Sequence, residues 1–254
     1  MPGRARRRSR PFCSLPSSRS TTLPGERSSR GRARRRPRHP TDTPLDRSPR
    51  PPAVREIPTP HGPARAHLHP VGASRATLVL GHGAGGGVAA PDLVAATAAA
   101  HEAAVSVVLV EQPYRVAGRR SPAPAAQLDT AWRAVVESLW DDEAAGSPVL
   151  AGGRSSGARV ACRTAAALRV VGVVCLAFPL RPPPRRTGAQ SPSRLDELDA
   201  VGVPVLVVQG ARDRFGIPPA SGSRTVVEVP GDHSLRTGAV ELRLAVRAWL
   251  EEVV

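Results

Sequence analysis

The sequence predicts an α/β domain in three layers, with a mostly parallel, doubly wound sheet between two sets of helices. Three observations predict it. Continuous apolar runs recur through the chain, the form a strand takes when both its faces are covered. Segments with apolar residues at three-four spacing alternate with these runs, as amphipathic helices do. Each glycine-rich or polar cluster follows the carboxyl end of a run, and open α/β sheets hold their ligands at that edge.

The elements follow in order from Val54. VREIPTP and PARAHLH read as short strands around a His61-Gly62 turn, the second with period-two spacing. ATLVLGHG (76–83) is a buried strand ending in glycines, and PDLVAATAAAHEAA is a helix with Pro91 at its first position. VSVVLV (105–110) is the next buried strand, followed by a Pro/Gly/Arg loop through Pro124. QLDTAWRAVVESLW carries the clearest helical period, with Leu128, Ala131, Trp132, Val135, Val136, Leu139 and Trp140 along one side. SPVLAGG then reads as strand, SGARVACRTAAAL as helix and VVGVVCLAF as strand. After the loop RPPPRR come VPVLVVQG and RTVVEVPG as strands, and a closing helix that aligns Leu242, Val246, Trp249 and Val253.

Charge divides the chain at the same place. Residues 1–53 carry 15 arginines against Glu26, Asp42 and Asp46, whereas residues 54–254 carry 21 against 18 acids. The first stretch is rich in Pro and Ser and poor in apolar side chains, so burial cannot offset the entropy of ordering it. It is expected to be a disordered tail. With Met1 the sole methionine, a true start at Val54 is expected, the upstream residues being a gene-model artefact. All 36 basic residues are arginine, and Ala, Gly and Pro are abundant too, a composition that GC-rich coding produces without selection for phosphate binding. Phe12 is the tail's one aromatic for stacking on bases, so no specific nucleic-acid partner is expected. The start lacks the apolar core of a secretory signal, and no segment approaches the ~18 consecutive apolar residues of a membrane span. Cys13, Cys162 and Cys175 form neither a disulfide framework nor a C-x-x-C pair, which fits a reducing, cytoplasmic setting.

The chemistry centres on LAGGRSSGARVA. Gly153-Arg154-Ser155-Ser156-Gly157 spells G-x-S-x-G between a strand and a helix, the strand-turn-helix that exposes a serine hydroxyl on a tight turn. A serine needs a base, and the base an orienting acid. Of the seven histidines, His233 in VPGDHSL follows the last strand, while His82 is in the glycine loop and His101 in a helix. Asp213 in VVQGARDRFG follows a buried strand directly; Asp232, beside His233, is the alternative acid. The order Ser155, Asp213, His233 is nucleophile, acid, base. His82-Gly83-Ala84-Gly85-Gly86-Gly87 offers bare backbone, and an N–H of Ala84 or Gly85 would join that of Ser156 as an oxyanion hole. The same loop could cradle a phosphate, but it lacks the Lys-Ser/Thr of a P-loop. In YRVAGRR, Tyr114 and Arg115 are candidate substrate-binding residues, Arg115 with Arg119 and Arg120 suited to an anionic acyl group or to a solvated face. His67 and His69 form an H-x-H pair with no third ligand apparent, so no metal and no cofactor is expected. Cys162 and Cys175 read as core thiols.

HGAGGG, GGRSSGARVA, CLAFPL, VLVVQGARD and PGDHS, in this order, resemble the α/β-hydrolase superfamily over about Arg55 to Val254. More narrowly they are similar to a small-hydrolase family whose animal members include a testis-expressed protein and a subunit of a histone acetyltransferase complex. The resemblance implies the α/β-hydrolase fold, with Ser155 as nucleophile, Asp213 as acid and His233 as base. Arg154 before the nucleophile departs from many esterases and matches this subfamily, and Ser155 stands where dienelactone hydrolases have Cys. Many hydrolases insert a lid in the region of residues 180–203. Here that segment is too short for a large cap domain, so an open site for a small ester, thioester or peptide-like acyl substrate is expected. The alternative is a non-catalytic interaction module on the same fold.

Overall fold

Valine, leucine and alanine fill the middle of an eight-stranded sheet because both of its faces are covered. The computed structural model describes residues 52–142, 144, 146–182 and 191–254. The strands are β1 (Ala53–Ile57), β2 (Ala64–His69), β3 (Ala76–Gly81), β4 (Val105–Glu111), β5 (Val149–Arg154), β6 (Gly172–Leu176), β7 (Val205–Gly210) and β8 (Arg224–Val229). Their order is β1-β2-β4-β3-β5-β6-β7-β8. β1 and β2 pair antiparallel with each other, β2 pairs antiparallel with β4, and every other pairing is parallel. Every residue of β3, β6 and β7 is buried.

The strands alternate their side chains between two cores, as a period of two requires. Leu78, Leu80, Leu150, Val174, Leu206 and Val208 face one core, with Leu93, Ala96 and Ala100 of α1 (Pro91–Glu102) and Leu242, Val246 and Leu250 of α6 (Ala239–Val253). Val79, Val108, Ala151, Val173, Cys175 and Val207 face the other. There α3 (Ala125–Asp141) buries the stripe from Leu128 to Leu139, and α4 (Ser156–Ala165) contributes Ala158, Val160 and Ala161. Each fully buried Leu or Val in such a core contributes about 1.5–3 kcal/mol. Trp140, aligned by sequence with the α3 stripe, is only partly buried, and the Arg169 guanidinium lies 5.9 Å over its ring.

Two short helices break segments expected as loop: α2 (Pro113–Val116) after β4 and α5 (Leu195–Asp199) before β7. The expected tail lies, up to residue 51, outside the described residues, as do residues 183–190 of the segment 180–203. The chain runs from β3 to β4 on one side and from β4 past β3 to β5 on the other. This makes the carboxyl ends of β3 and β5 the switch point of the winding, the place where open α/β sheets hold their ligands.

Candidate active site

Ser155 occupies the turn between β5 and α4 with φ 52° and ψ −106°, outside the regions a side-chain-bearing residue favours. Its neighbours hold it there. Its N–H donates to the Leu176 carbonyl at 2.9 Å. The turn is pressed against the end of β3: a methyl group on Gly157 would lie 2.3 Å from the Gly81 oxygen, and one on Gly153 would lie 2.5 Å from the same atom. Only glycine permits that approach. Ser156 is the first residue of α4, so its N–H has no acceptor within the helix.

From β7 and β8 come the other two candidates. Asp213, three residues past β7, has its carboxylate oriented by three donors: the Phe215 N–H to Oδ1 at 2.9 Å, and Gln209 Nε2 and His233 Nδ1 to Oδ2, both at 2.7 Å. A carboxylate oxygen accepts, so Nδ1 of His233 is the donor, and in a neutral imidazole that leaves Nε2 free to accept. That Nε2 accepts the Ser155 hydroxyl at 2.9 Å. The Asp213 side chain is fully buried and that of His233 is 18% exposed, so the line runs from the interior to the surface. The Phe215 ring packs on the imidazole with centroids 4.3 Å apart. Asp232, the alternative acid, instead accepts the N–H and hydroxyl of Ser234.

Sequence reasoning missed Gln209 and Phe215. Gln209 is fully buried, and its amide nitrogen also reaches the carbonyls of Phe178 and Gly216, each at 3.1 Å. Its signal was present: one polar residue inside the apolar run VLVVQG.

The glycine loop after β3 is propped from below. His82, 3% exposed, donates from Nδ1 to the Gly83 carbonyl at 2.8 Å and accepts the Gln112 N–H on Nε2 at 3.2 Å. Burial above all holds its pKa below the ordinary 6.5, and the nearby Arg115 charge acts in the same direction. Tyr114, buried in α2, donates its hydroxyl to the Ala84 carbonyl at 3.1 Å. In a trans peptide the Gly85 N–H points opposite to that carbonyl, so Tyr114 fixes its direction. Arg115 lies on the same helix, where Nη1 reaches the Arg119 carbonyl at 3.5 Å. Arg119 and Arg120 are exposed.

Arg154 precedes the nucleophile candidate in the chain. Its Nε donates to Asp92 Oδ2 at 3.0 Å and its Nη2 to the His233 carbonyl at 3.1 Å. Asp92, in the first turn of α1, is 1% exposed and also accepts the Leu93 N–H at 2.9 Å. Burial raises its pKa, the Arg154 charge opposing.

The remaining chemistry-bearing residues lie elsewhere. His67 Nε2 meets Glu111 Oε2 at 3.0 Å across the β2–β4 pair, and the His69 carbonyl is bonded by His101. Among the described residues, no group of three or more His, Cys, Asp or Glu is placed to hold a metal ion. Cys162 and Cys175 are buried free thiols with sulfurs 3.5 Å apart; the bond to Cys162 and then burial push the Cys175 thiol well up. No helix among the described residues is long and apolar enough to cross a membrane.

Comparison with known proteins agrees with this architecture. A lidless α/β serine hydrolase from Xanthomonas campestris superposes with a TM-score of 0.63 at 21% identity, covering 79% of this chain and 94% of that one. An α/β serine hydrolase homologue from Coxiella burnetii gives 0.64 at 18%, covering 78% and 97%. Est1E from Butyrivibrio proteoclasticus gives 0.64 at 16%, covering 78% and 98%. No curated protein sequence matches the chain. The family described as the alpha/beta hydrolase domain matches residues 74–238. The chain belongs to the α/β-hydrolase family.

Proposed function

We propose that the protein is a serine hydrolase in which Ser155 attacks the acyl carbon of a small ester, thioester or peptide-like substrate. The observation that carries this reading is the line from Ser155 Oγ to His233 Nε2 at 2.9 Å and from His233 Nδ1 to Asp213 at 2.7 Å, ending on a strained turn. His233 takes the serine proton as the Oγ–carbon bond forms, and Asp213 holds the imidazolium. The oxyanion sits between the N–H of Ser156 at the head of α4 and one from the glycine loop, Ala84 or Gly85. The proton passes to the leaving group as its bond to the acyl carbon breaks. Water, activated by the same histidine, then splits the acyl-enzyme and releases the acid.

Tyr114 and Arg115, on α2 beside that loop, are the proposed substrate-side contacts; Tyr114 also fixes the loop through Ala84. The narrower likeness to the small-hydrolase family of the testis-expressed protein belongs to this reading, as does a reducing cytoplasmic setting for the two core thiols. So does the division of the chain into residues 1–53 as a tail and 54–254 as the hydrolase domain. The test is labelling with a fluorophosphonate beside a Ser155→Ala control. Label on the wild type that is lost in the control supports an activated serine. No label on a folded wild type refutes it and leaves the interaction module.

A further inference from the structure

The proposed chemistry leaves Arg154 unused, yet its guanidinium touches three separate parts of the site. Nε is bonded to Asp92 at the head of α1, and Nη2 to the main-chain carbonyl of His233. The Nη1 and Cδ edge of the side chain lies against Gly83, where a methyl would meet Nη1 at 2.7 Å and Cδ at 3.2 Å. The backbone of Arg154 itself runs directly into Ser155. One side chain therefore bonds the end of the nucleophile strand to the first turn of α1 and to the loop bearing the base, and packs against the root of the glycine loop.

The chemistry of this tie suits alignment better than stability. A buried ion pair gains little over apolar packing of the same volume, because both charges lose their water. Asp92 shows that penalty: burial is the first cause of its raised pKa, even with Arg154 beside it. What a guanidinium adds is a rigid planar fork of donors, which a lysine cannot imitate. Asp92 commits one oxygen to the Leu93 N–H and the other to Nε, so the fork is itself oriented before it reaches His233. The imidazole is already held at Nδ1 by Asp213 and packed by the tilted ring of Phe215. Arg154 supplies the missing hold, on the backbone from which the ring hangs.

Resting on the serine-hydrolase reading, we infer that Arg154, oriented by Asp92, is a positioning residue that keeps the His233 loop and the glycine loop in register with Ser155. It acts through His233 rather than on the substrate, so its loss slows acylation and leaves affinity alone.

The test measures fluorophosphonate labelling (kinact and KI), p-nitrophenyl butyrate hydrolysis and Tm on the full chain. The variants are Arg154→Gln, Arg154→Lys, Asp92→Asn and the double Asp92→Asn/Arg154→Gln. Misplacing a base by about 1 Å costs up to about 100-fold, so Arg154→Gln is expected to lower kinact and kcat about 10- to 100-fold. KI and KM are expected to stay within about two-fold, the split that marks an interaction felt in the transition state. Arg154→Lys keeps the charge without the fork and is expected to recover little. The double variant is expected to be no slower than Arg154→Gln, because Asp92 works through Arg154. Should Arg154→Gln not fold, Arg154→Lys carries the same comparison. Unchanged kinact in a folded variant overturns the inference. So does a rise in KM alone, which would make Arg154 a substrate contact, and so does full activity in Arg154→Lys. A wild type that takes no label sinks the hydrolase reading with it; a labelled wild type matched by Arg154→Gln sinks the positioning role alone.

Discussion

A methyl group on Gly152 would lie 2.4 Å from the Val174 carbonyl oxygen, and one on Gly157 2.3 Å from that of Gly81; on Gly85 or Gly87 it would meet nothing within 4 Å. The elbow and the loop after β3 are both glycine-rich, and they sit side by side at the switch point of the sheet. At the elbow, glycine is demanded by backbone on backbone, which cannot yield. In the loop, glycine is demanded by nothing already in the protein, and what it leaves is exposed main chain beside an uncrowded space. One is a packing device and the other leaves open room beside the main chain. Gly83, at the root of the loop, stands between them, since its near neighbour is the flexible end of Arg154.

The contrast can be broken most forcefully with Gly157→Ala. Overpacking against backbone is expected to cost about 3 kcal/mol, a fall of about 10 °C in Tm for a domain of this size. A thermal melt within about 1 °C of wild type would mean that the elbow is not crowded as described. Tyr114→Phe comes next. It removes one hydrogen bond to the Ala84 carbonyl, expected to cost about 1 kcal/mol in chemical denaturation. It also frees the Gly85 N–H, so fluorophosphonate labelling should slow measurably; an unchanged rate would take Tyr114 out of the support of the loop. Gly85→Ala is expected to change stability by no more than about 0.5 kcal/mol, because the site is open. A larger loss would erase the difference between the two regions.

A gentler probe is pH. His82 is neutral in the fold, with its pKa below the ordinary 6.5, so the fold binds that proton less readily than the unfolded chain does. Its contribution is complete above 6.5 and is lost as pH falls from there toward the lowered value. Burial is the main physical cause, the Arg115 charge acts in the same direction, and a proton on Nε2 would also displace the Gln112 N–H that now bonds there. His69, also lowered, and Asp92, raised, add slopes of their own, so the measurement is the difference in Tm against pH between wild type and His82→Gln. Parallel curves would show that the loop is not anchored through a neutral His82.

The central parallel strands, β3 to β7, were legible because burial on both faces writes itself as nearly unbroken apolar runs, and β2 because ARAHLH alternates with period two. α2 and α5 were not: helices of four and five residues complete barely one turn, too little for periodicity to show. At the site the same division holds. Ser155, Asp213 and His233 could be singled out because each follows a strand, and the structure brings those three side chains together. Arg154 and Asp92 could not be paired, since 62 residues separate them and nothing local in either segment refers to the other. Gln209 left a trace as a polar residue in an apolar strand, but its partner Asp213 is fixed by the turn after β7 rather than by the run itself. Support of this kind is written in contacts across the fold, and the linear pattern records what each residue buries, not whom it holds.

The separation of the site's three carriers along the chain has a consequence in time. Ser155 leaves β5, whereas Asp213 and His233 arrive after β7 and β8, and the Ser155–His233 bond closes over 78 residues. Loop length does not set the order, since β3 and β5 also pair across a long stretch of chain; what matters is that the acid and the base hang from β7 and β8. A chain that has assembled β3 to β6 already owns the strained turn, yet its serine lies beside no base. On the proposed chemistry, reactivity at Ser155 would then report completion of the sheet: a domain without β7 and β8 in place would hold the serine with no base beside it.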